Sequence, residues 1–273
     1  MTSRRVFCGY LLSSLFLRSR ANAQTTDLEG FDPIWRDAEH ALINFFGDVQ
    51  YTSRGADMEI PSYSDVGTSV PIKITVDAEM SVHDYPEVIH LLAHGNPTPH
   101  ILSAWMQPMC GKAEFSTRIR LEKSQKVTLA VKMKDGRHIR IDKDVEVSFG
   151  ACAQIGTGDN DDIAAFLPET RTNITNQATT GTIIPIRALI SHPMETGMRK
   201  SKIDDEWIDQ RIIHNFECSF RDKTFFRVRL YPAVATNPYF KFFLKAEQSG
   251  KIDFLWQDSF LIDFRDSRNL AVS

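Results

Sequence analysis

The stretch Val127–Cys152, "VTLAVKMKDGRHIRIDKDVEVSFGAC", decides the fold class. Val127, Leu129, Val131 and Met133 alternate with polar or small neighbours, the period-two pattern of a half-buried strand. Asp135-Gly136 supplies a tight hairpin turn, and Ile139, Ile141, Val145, Val147 and Phe149 follow on the return strand. The same alternation occurs upstream at Val70, Ile72, Ile74 and Val76, and downstream at Ile184, Ile186, Ala188 and Ile190. It recurs at Phe216, Cys218 and Phe220, at Phe226, Val228 and Leu230, and at Ile252, Phe254 and Trp256. A last strand is expected to place Phe260, Ile262 and Phe264 on one face.

Short strands separated by turn signals predict an all-β chain of two β-sandwiches, residues 24–154 and 183–273, the second of a size that suits an immunoglobulin-like unit. Residues 155–182, rich in Gly, Asp, Asn and Thr, read as the linker, with a short helical turn near 163–167. One short N-terminal helix is predicted over Phe31–Asp48. Asp32 would cap it, Pro33 suits its first position, and Ile34, Ala38, Ala41, Leu42 and Phe45 form a stripe at helical spacing.

Residues 1–23 read as an export signal rather than as fold. Arg4 and Arg5 precede a short apolar run, Val6–Leu17, and Ala21-Asn22-Ala23 offers a cleavage site. Ser3-Arg4-Arg5-Val6-Phe7 has the twin-arginine pattern. The run is shorter than the ~20 residues of a membrane span, so the expected product is an exported, periplasmic protein that enters no membrane. Cleavage removes four arginines and no acid from 32 basic and 35 acidic residues, leaving a net charge of −7. Residues 24–154 then carry −6 and residues 183–273 carry +2, which favours docking of the two halves. No basic block suits nucleic acid.

Loss of Cys8 with the signal leaves Cys110, Cys152 and Cys218, an odd number in an oxidising compartment. Cys218 sits between Phe216 and Phe220 on the apolar face of a strand and reads as core. Cys152 follows a strand end and is flanked by Gly150, Ala151 and Ala153. Spacing alone leaves three readings of it: a buried residue, half of a disulfide, or an exposed thiol that a second protein can reach. A bond to Cys110 would close a loop of about 40 residues and stabilise by ~4 kcal/mol in the chain-entropy account. His90, His94 and His100 share strand parity, but no local carboxylate or cysteine completes a metal-ligand set. Arg118 and Arg120 alternate with Ile119 and Leu121, giving either a solvated basic face or an anion-facing patch. No base–nucleophile pair or cofactor fingerprint marks an enzyme.

Longer motifs carry a resemblance. "VPIKITVD", "NPTP", "GKAEFSTRIRLEKSQKV" and "VEVSFGAC" resemble, in order and spacing, SoxY, the thiol-bearing subunit of the sulfur-oxidation carrier. "RALISHPMETGMRK" (Arg187–Lys200) and "PAVATNPYFKFF" (Pro232–Phe243) resemble its partner SoxZ. The whole is similar to the fused SoxYZ-like carriers associated with quinoprotein dehydrogenases. The resemblance implies two packed immunoglobulin-like sandwiches and a non-catalytic carrier with no resident cofactor. It places the attachment thiol, which holds cargo as a covalent adduct, on Cys152. It implies partners among periplasmic enzymes of a sulfur-oxidation-like or PQQ-dehydrogenase system. In SoxY the cysteine lies in a Gly-Gly-Cys-Gly-Gly tail with a free end; here Ala151, Ala153 and Gln154 replace glycines and the chain continues. The alternative expectation is a redox-sensing or structural accessory protein that binds a periplasmic dehydrogenase or cytochrome and holds a Cys110–Cys152 disulfide.

Overall fold

The structure, a computed structural model, describes residues 37–150, 166–201 and 203–273. Helix α1 (Ala38–Phe46) opens the described chain. Its N-cap is Asp37, and the expected cap Asp32 and first-position Pro33 lie outside the described residues. Asp37 is extended and its carboxylate accepts from the Glu39 N–H at 2.8 Å, an N-cap that satisfies one orphan donor. Residues 31–36 lie outside the described residues. Ala38, Ala41 and Leu42 pack on Leu92 and Ala130 of the sheet beneath.

The first half then supplies β1 (Tyr51–Thr52), β2 (Ala56–Glu59), β3 (Tyr63–Val66), β4 (Val70–Val76), β5 (Pro86–Ala93), β6 (His100–Met106), β7 (Glu114–Ile119), β8 (Gln125–Met133) and β9 (His138–Phe149). The second half supplies β10 (Glu169–Asn173), β11 (Gln177–Ala178), β12 (Thr182–Ser191), β13 (Ile213–Phe220), β14 (Lys223–Leu230), β15 (Tyr239–Ala246), β16 (Gly250–Asp258) and β17 (Asp263–Val272). The β8–β9 hairpin forms as its alternation predicts, from Gln125↔Val145 to Lys132↔His138, and Gly136 takes a left-handed φ of 91° in its turn.

The all-β reading holds, and each half contributes strands to two facing sheets. The sheets, however, do not stop at the boundary between halves. One runs β1-β9-β8-β5-β6-β14-β13-β16-β17-β11, with β3 also on β9; the other runs β10-β12-β15-β7-β4-β2. The seam is β6 against β14, with Leu102↔Leu230 through Met106↔Phe226 in register, and β7 against β15 at Ser116↔Lys241. Two sandwiches are thus fused edge to edge, and a strand edge left bare by either half is covered by the other.

One apolar cluster fills both halves, from Ile72, Leu91 and Phe115 to Phe216, Phe242 and Trp256. Phe226 stacks on Phe242 at 4.3 Å, and Phe216 meets Trp256 at 4.0 Å. Cys218 is buried in this cluster, as its place between two phenylalanines requires.

Two expectations need correction. Within 155–182, β10 pairs with β12 and β11 with β17, so the end of the expected linker is strand. Backbone pairing, not an apolar pattern, holds these polar segments. Phe260 and Ile262 lie in the turn between β16 and β17, 40% and 42% exposed, rather than on a strand face. The Asp258 carboxylate forms that turn by accepting from the N–H groups of Phe260 and Ile262.

Candidate functional site

Cys152, Ala151 and Ala153 lie outside the described residues, so the site is built from what anchors the chain leading to them. That chain is the end of β9. On one side β3 runs parallel to it, with Tyr63↔Glu146 and Val66↔Phe149, and the Gly67 N–H donates to the Phe149 carbonyl at 2.8 Å. The Tyr63 hydroxyl lies 2.8 Å from Ser148 Oγ. On the other side Ser124 Oγ accepts from the Val147 N–H at 2.9 Å. Gly150 comes next, pressed against the backbone of Glu122: a Cβ at this position would lie 1.8 Å from the Glu122 carbonyl oxygen. Only glycine permits that approach. Phe149 beside it is 62% exposed, so the strand ends at the surface. Past residues 151–165 the Phe166 carbonyl accepts from the buried Arg211 guanidinium at 3.0 Å. Arg211 in turn pairs with the fully buried Asp258 at 3.1 Å.

The two cysteines among the described residues, Cys110 and Cys218, are structural. Cys110 is a free thiol, 0% exposed, whose sulfur donates to the Phe225 carbonyl at 3.3 Å. Burial pushes its pKa up to about 12. Cys218 is likewise free and buried, and burial raises it well above the ordinary thiol value. The thiolate is the nucleophile, so both are inert at neutral pH. Cys110, the near end of the disulfide in the alternative reading, has a free sulfur buried beside the turn Pro108–Cys110, and its proposed partner Cys152 lies outside the described residues.

Arg118 and Arg120, read as equivalent from their parity, part company. Arg120 is 5% exposed and faces no solvent. Its guanidinium donates to the Met194 carbonyl at 2.9 Å and to Thr236 Oγ1 at 2.6 Å, with longer bonds to the carbonyls of Pro193 and Pro232 at 3.4 Å. It is a clamp between halves rather than an anion-facing group. Nothing in its spacing signals this role. Arg118 stays half-buried on the outer face, 5.8 Å above the Tyr239 ring.

Nearby, Asn96 bonds the Arg120 carbonyl and the Glu122 N–H, so the "NPTP" loop braces the backbone that meets Gly150. The histidines are spent on structure. Ser103 Oγ sits between His90 Nδ1 at 2.8 Å and His100 Nε2 at 3.0 Å, and His94 bonds Thr128.

Two family models match the chain. One, "Sulfur oxidation protein SoxY", matches residues 43–152 and ends on Cys152. The other, "Sulphur oxidation protein SoxZ", matches residues 172–267. Among similar solved structures is the sulfur carrier protein SoxY from Chlorobium limicola f thiosulfatophilum, at 21% identity and a TM-score of 0.34, covering 40% of this chain and 89% of that one. Another is the superoxide reductase (neelaredoxin) from Ignicoccus hospitalis, at 12% identity and a TM-score of 0.32, covering 34% and 80%. No curated protein matches the chain.

Proposed function

We propose that this chain, which belongs to the SoxY and SoxZ families in tandem and is a SoxY–SoxZ fusion, is a covalent sulfur carrier whose attachment atom is the Cys152 sulfur. The observation that carries the reading is the fate of the other thiols. Cys110 and Cys218 are locked in the core as protonated thiols, so once Cys8 leaves with the export signal Cys152 is the cysteine left for chemistry. It stands two residues past Gly150, which lies against the Glu122 carbonyl and directly follows the surface end of β9, where β3 pairs with Phe149 and Ser124 bonds Val147. The thiol needs access more than activation, because a partner enzyme makes and breaks the bond to the cargo. Forming a reductant-labile S–S bond between the Cys152 thiol and a reduced sulfur species releases two protons and two electrons, which a two-electron-accepting partner enzyme takes up, and reductive release returns them to the two sulfurs.

In this reading residues 1–23 are a twin-arginine export signal, 24–154 and 183–273 are the SoxY-like and SoxZ-like units, and the protein works in the periplasm. Its partners are enzymes of a sulfur-oxidation-like or PQQ-dehydrogenase-associated pathway, and it performs no catalysis itself. The test is intact-mass analysis of the protein purified from its native periplasm, with Cys152→Ser alongside. An adduct that is released by reductant and absent from the variant is expected. A bare mass under every growth condition refutes the carrier role.

A further inference from the structure

The outer face of the six-stranded sheet carries a charge arrangement that the fold does not explain. Across its strands, Asn173, Arg187, Lys241, Ser116, Lys73 and Glu59 are successive register partners. Partners in register point to the same face with Cβ atoms ≈ 4.5–5.5 Å apart, and like charges directly opposite each other are destabilising. Arg187 and Lys241 are such a pair. Arg118 lies two residues along from Ser116, diagonal to Lys241. Lys73 is neutralised by Glu59, Lys112 by Glu114 and Lys245 by Glu247. Arg118, Arg187 and Lys241 pair with no carboxylate among the described residues. Two aromatic rings lie within the cluster: Arg118 stands over Tyr239, and Lys241 stands 5.6 Å over Phe243. An open groove of about 830 Å³ runs beside the row, lined by Lys73, Ser116, Arg118 and Tyr239.

We infer that this cationic, aromatic-backed row docks a carboxylate-rich surface of a partner protein. Charge complementarity selects that occupant, since three cations held together at a cost to folding are relieved by acidic side chains brought in from outside. The net negative charge of the chain disfavours a nucleic acid. The row crosses the seam, with Arg187 and Lys241 from the second half and Arg118 from the first. The surface therefore exists only when both halves are joined. The inference does not rest on Cys152, so a bare thiol leaves it standing.

The test is an NMR titration of the ¹⁵N-labelled full chain with a hexaglutamate peptide. Shifts are expected at Arg118, Arg187, Lys241 and Tyr239. The dissociation constant should weaken about tenfold or more between about 20 and about 200 mM NaCl. Lys241→Glu should weaken binding about tenfold, whereas Lys223→Glu, the same charge change on the other sheet, should cost less than about twofold. Lys241→Glu should also melt no lower than the parent, because it sets a glutamate opposite Arg187. Equal loss from the two variants, or shifts spread over all exposed lysines and arginines, overturns the assignment. So does sulfate reproducing the same shifts at equal ionic strength, which gives the site to a small oxyanion. Concentration-dependent dimerisation abolished by Lys241→Glu gives the face to a second copy and overturns it as well.

Discussion

Arg120→Met tests whether the two halves are one cooperative body. The side chain is buried, and its hydrogen bonds to Met194, Pro193, Pro232 and Thr236 all end on the second half. Two of them, to Met194 and Thr236, have full-strength geometry; the two at 3.4 Å are weak. A bond from a charged donor contributes ≈ 1.5–3 kcal/mol net, so the two short bonds alone set a scale of ~3–6 kcal/mol. Relief of the buried charge's desolvation offsets part of this, and methionine fills much of the vacated volume. The expected loss is about 3 kcal/mol. The assay is urea denaturation followed by tryptophan fluorescence, with buried Trp256 as reporter, and by far-UV circular dichroism. Both signals should move together to a lower midpoint with an unchanged slope, since one core serves both halves. Arg120→Lys keeps the charge but not the fork and should recover less than half of the loss. Arg118→Met, on the half-exposed neighbour, should change stability by less than about 0.5 kcal/mol. A loss below about 1 kcal/mol for Arg120→Met, or separate transitions in the parent protein, would refute the clamp.

Further outcomes follow from the same geometry. A thiol-labelling count on the native mature protein should find one fast site, with the two buried cysteines reacting only after denaturation. Gly150→Ala should destabilise by ~1–3 kcal/mol, because the new methyl meets the Glu122 carbonyl, and the same urea titration reads it. Phe216→Ala, deep in the shared aromatic cluster, should cost ~3–5 kcal/mol in one cooperative transition. Burial holds His100 and His192 down to about 3, against ~6.5 in the unfolded chain, so the unfolded state binds more protons between those values. Stability should be level above pH ~6.5 and fall as the pH drops toward 3, and His100→Gln should make that slope shallower in melts taken across the range.

The parts legible from sequence are those governed by local periodicity. Val127–Phe149 alternates and turns at Asp135-Gly136, so β8 and β9 follow from local pattern and turn chemistry alone. Cys218 is legible for the same reason, lying between two apolar neighbours of equal parity. Arg120 is not. Parity sends it outward with Arg118, but β7 ends at Ile119, and Ile119, Arg120 and Leu121 are all buried where the chain meets the second half. Alternation stops carrying information once the strand stops. Polar β10, "ETRTN", has no apolar signal because its place is set by backbone pairing to β12. The seam was invisible for a related reason. Edge-to-edge pairing of β6 with β14 depends on the register between distant segments, which no local pattern encodes.

Continuity of the sheets constrains how a carrier of this design can work. Gly150 follows the end of β9, which lies four strand spacings from β14 along the sheet order, roughly 19 Å at ≈ 4.8 Å each. The chain that leaves there is fixed again at Phe166 on the second half, with 15 residues between the anchors. Position 152 is only two residues from the nearer anchor, and two residues reach at most ~7 Å. In the proposed carrier reading, the reach of position 152 is bounded by its two-residue tether to Gly150 rather than by the number of residues before Phe166. A free tail can be threaded into a deep cleft, whereas on the proposed reading an attachment thiol two residues from Gly150 would require the partner to come to the protein surface around Phe149. Loosening the root should then change transfer to a partner more than lengthening the far side does. Three glycines inserted after Gln154 leave the Gly150 anchor intact, while Gly150→Ala disturbs it. A larger effect of the insertion on the rate of adduct transfer would refute this account of the arm.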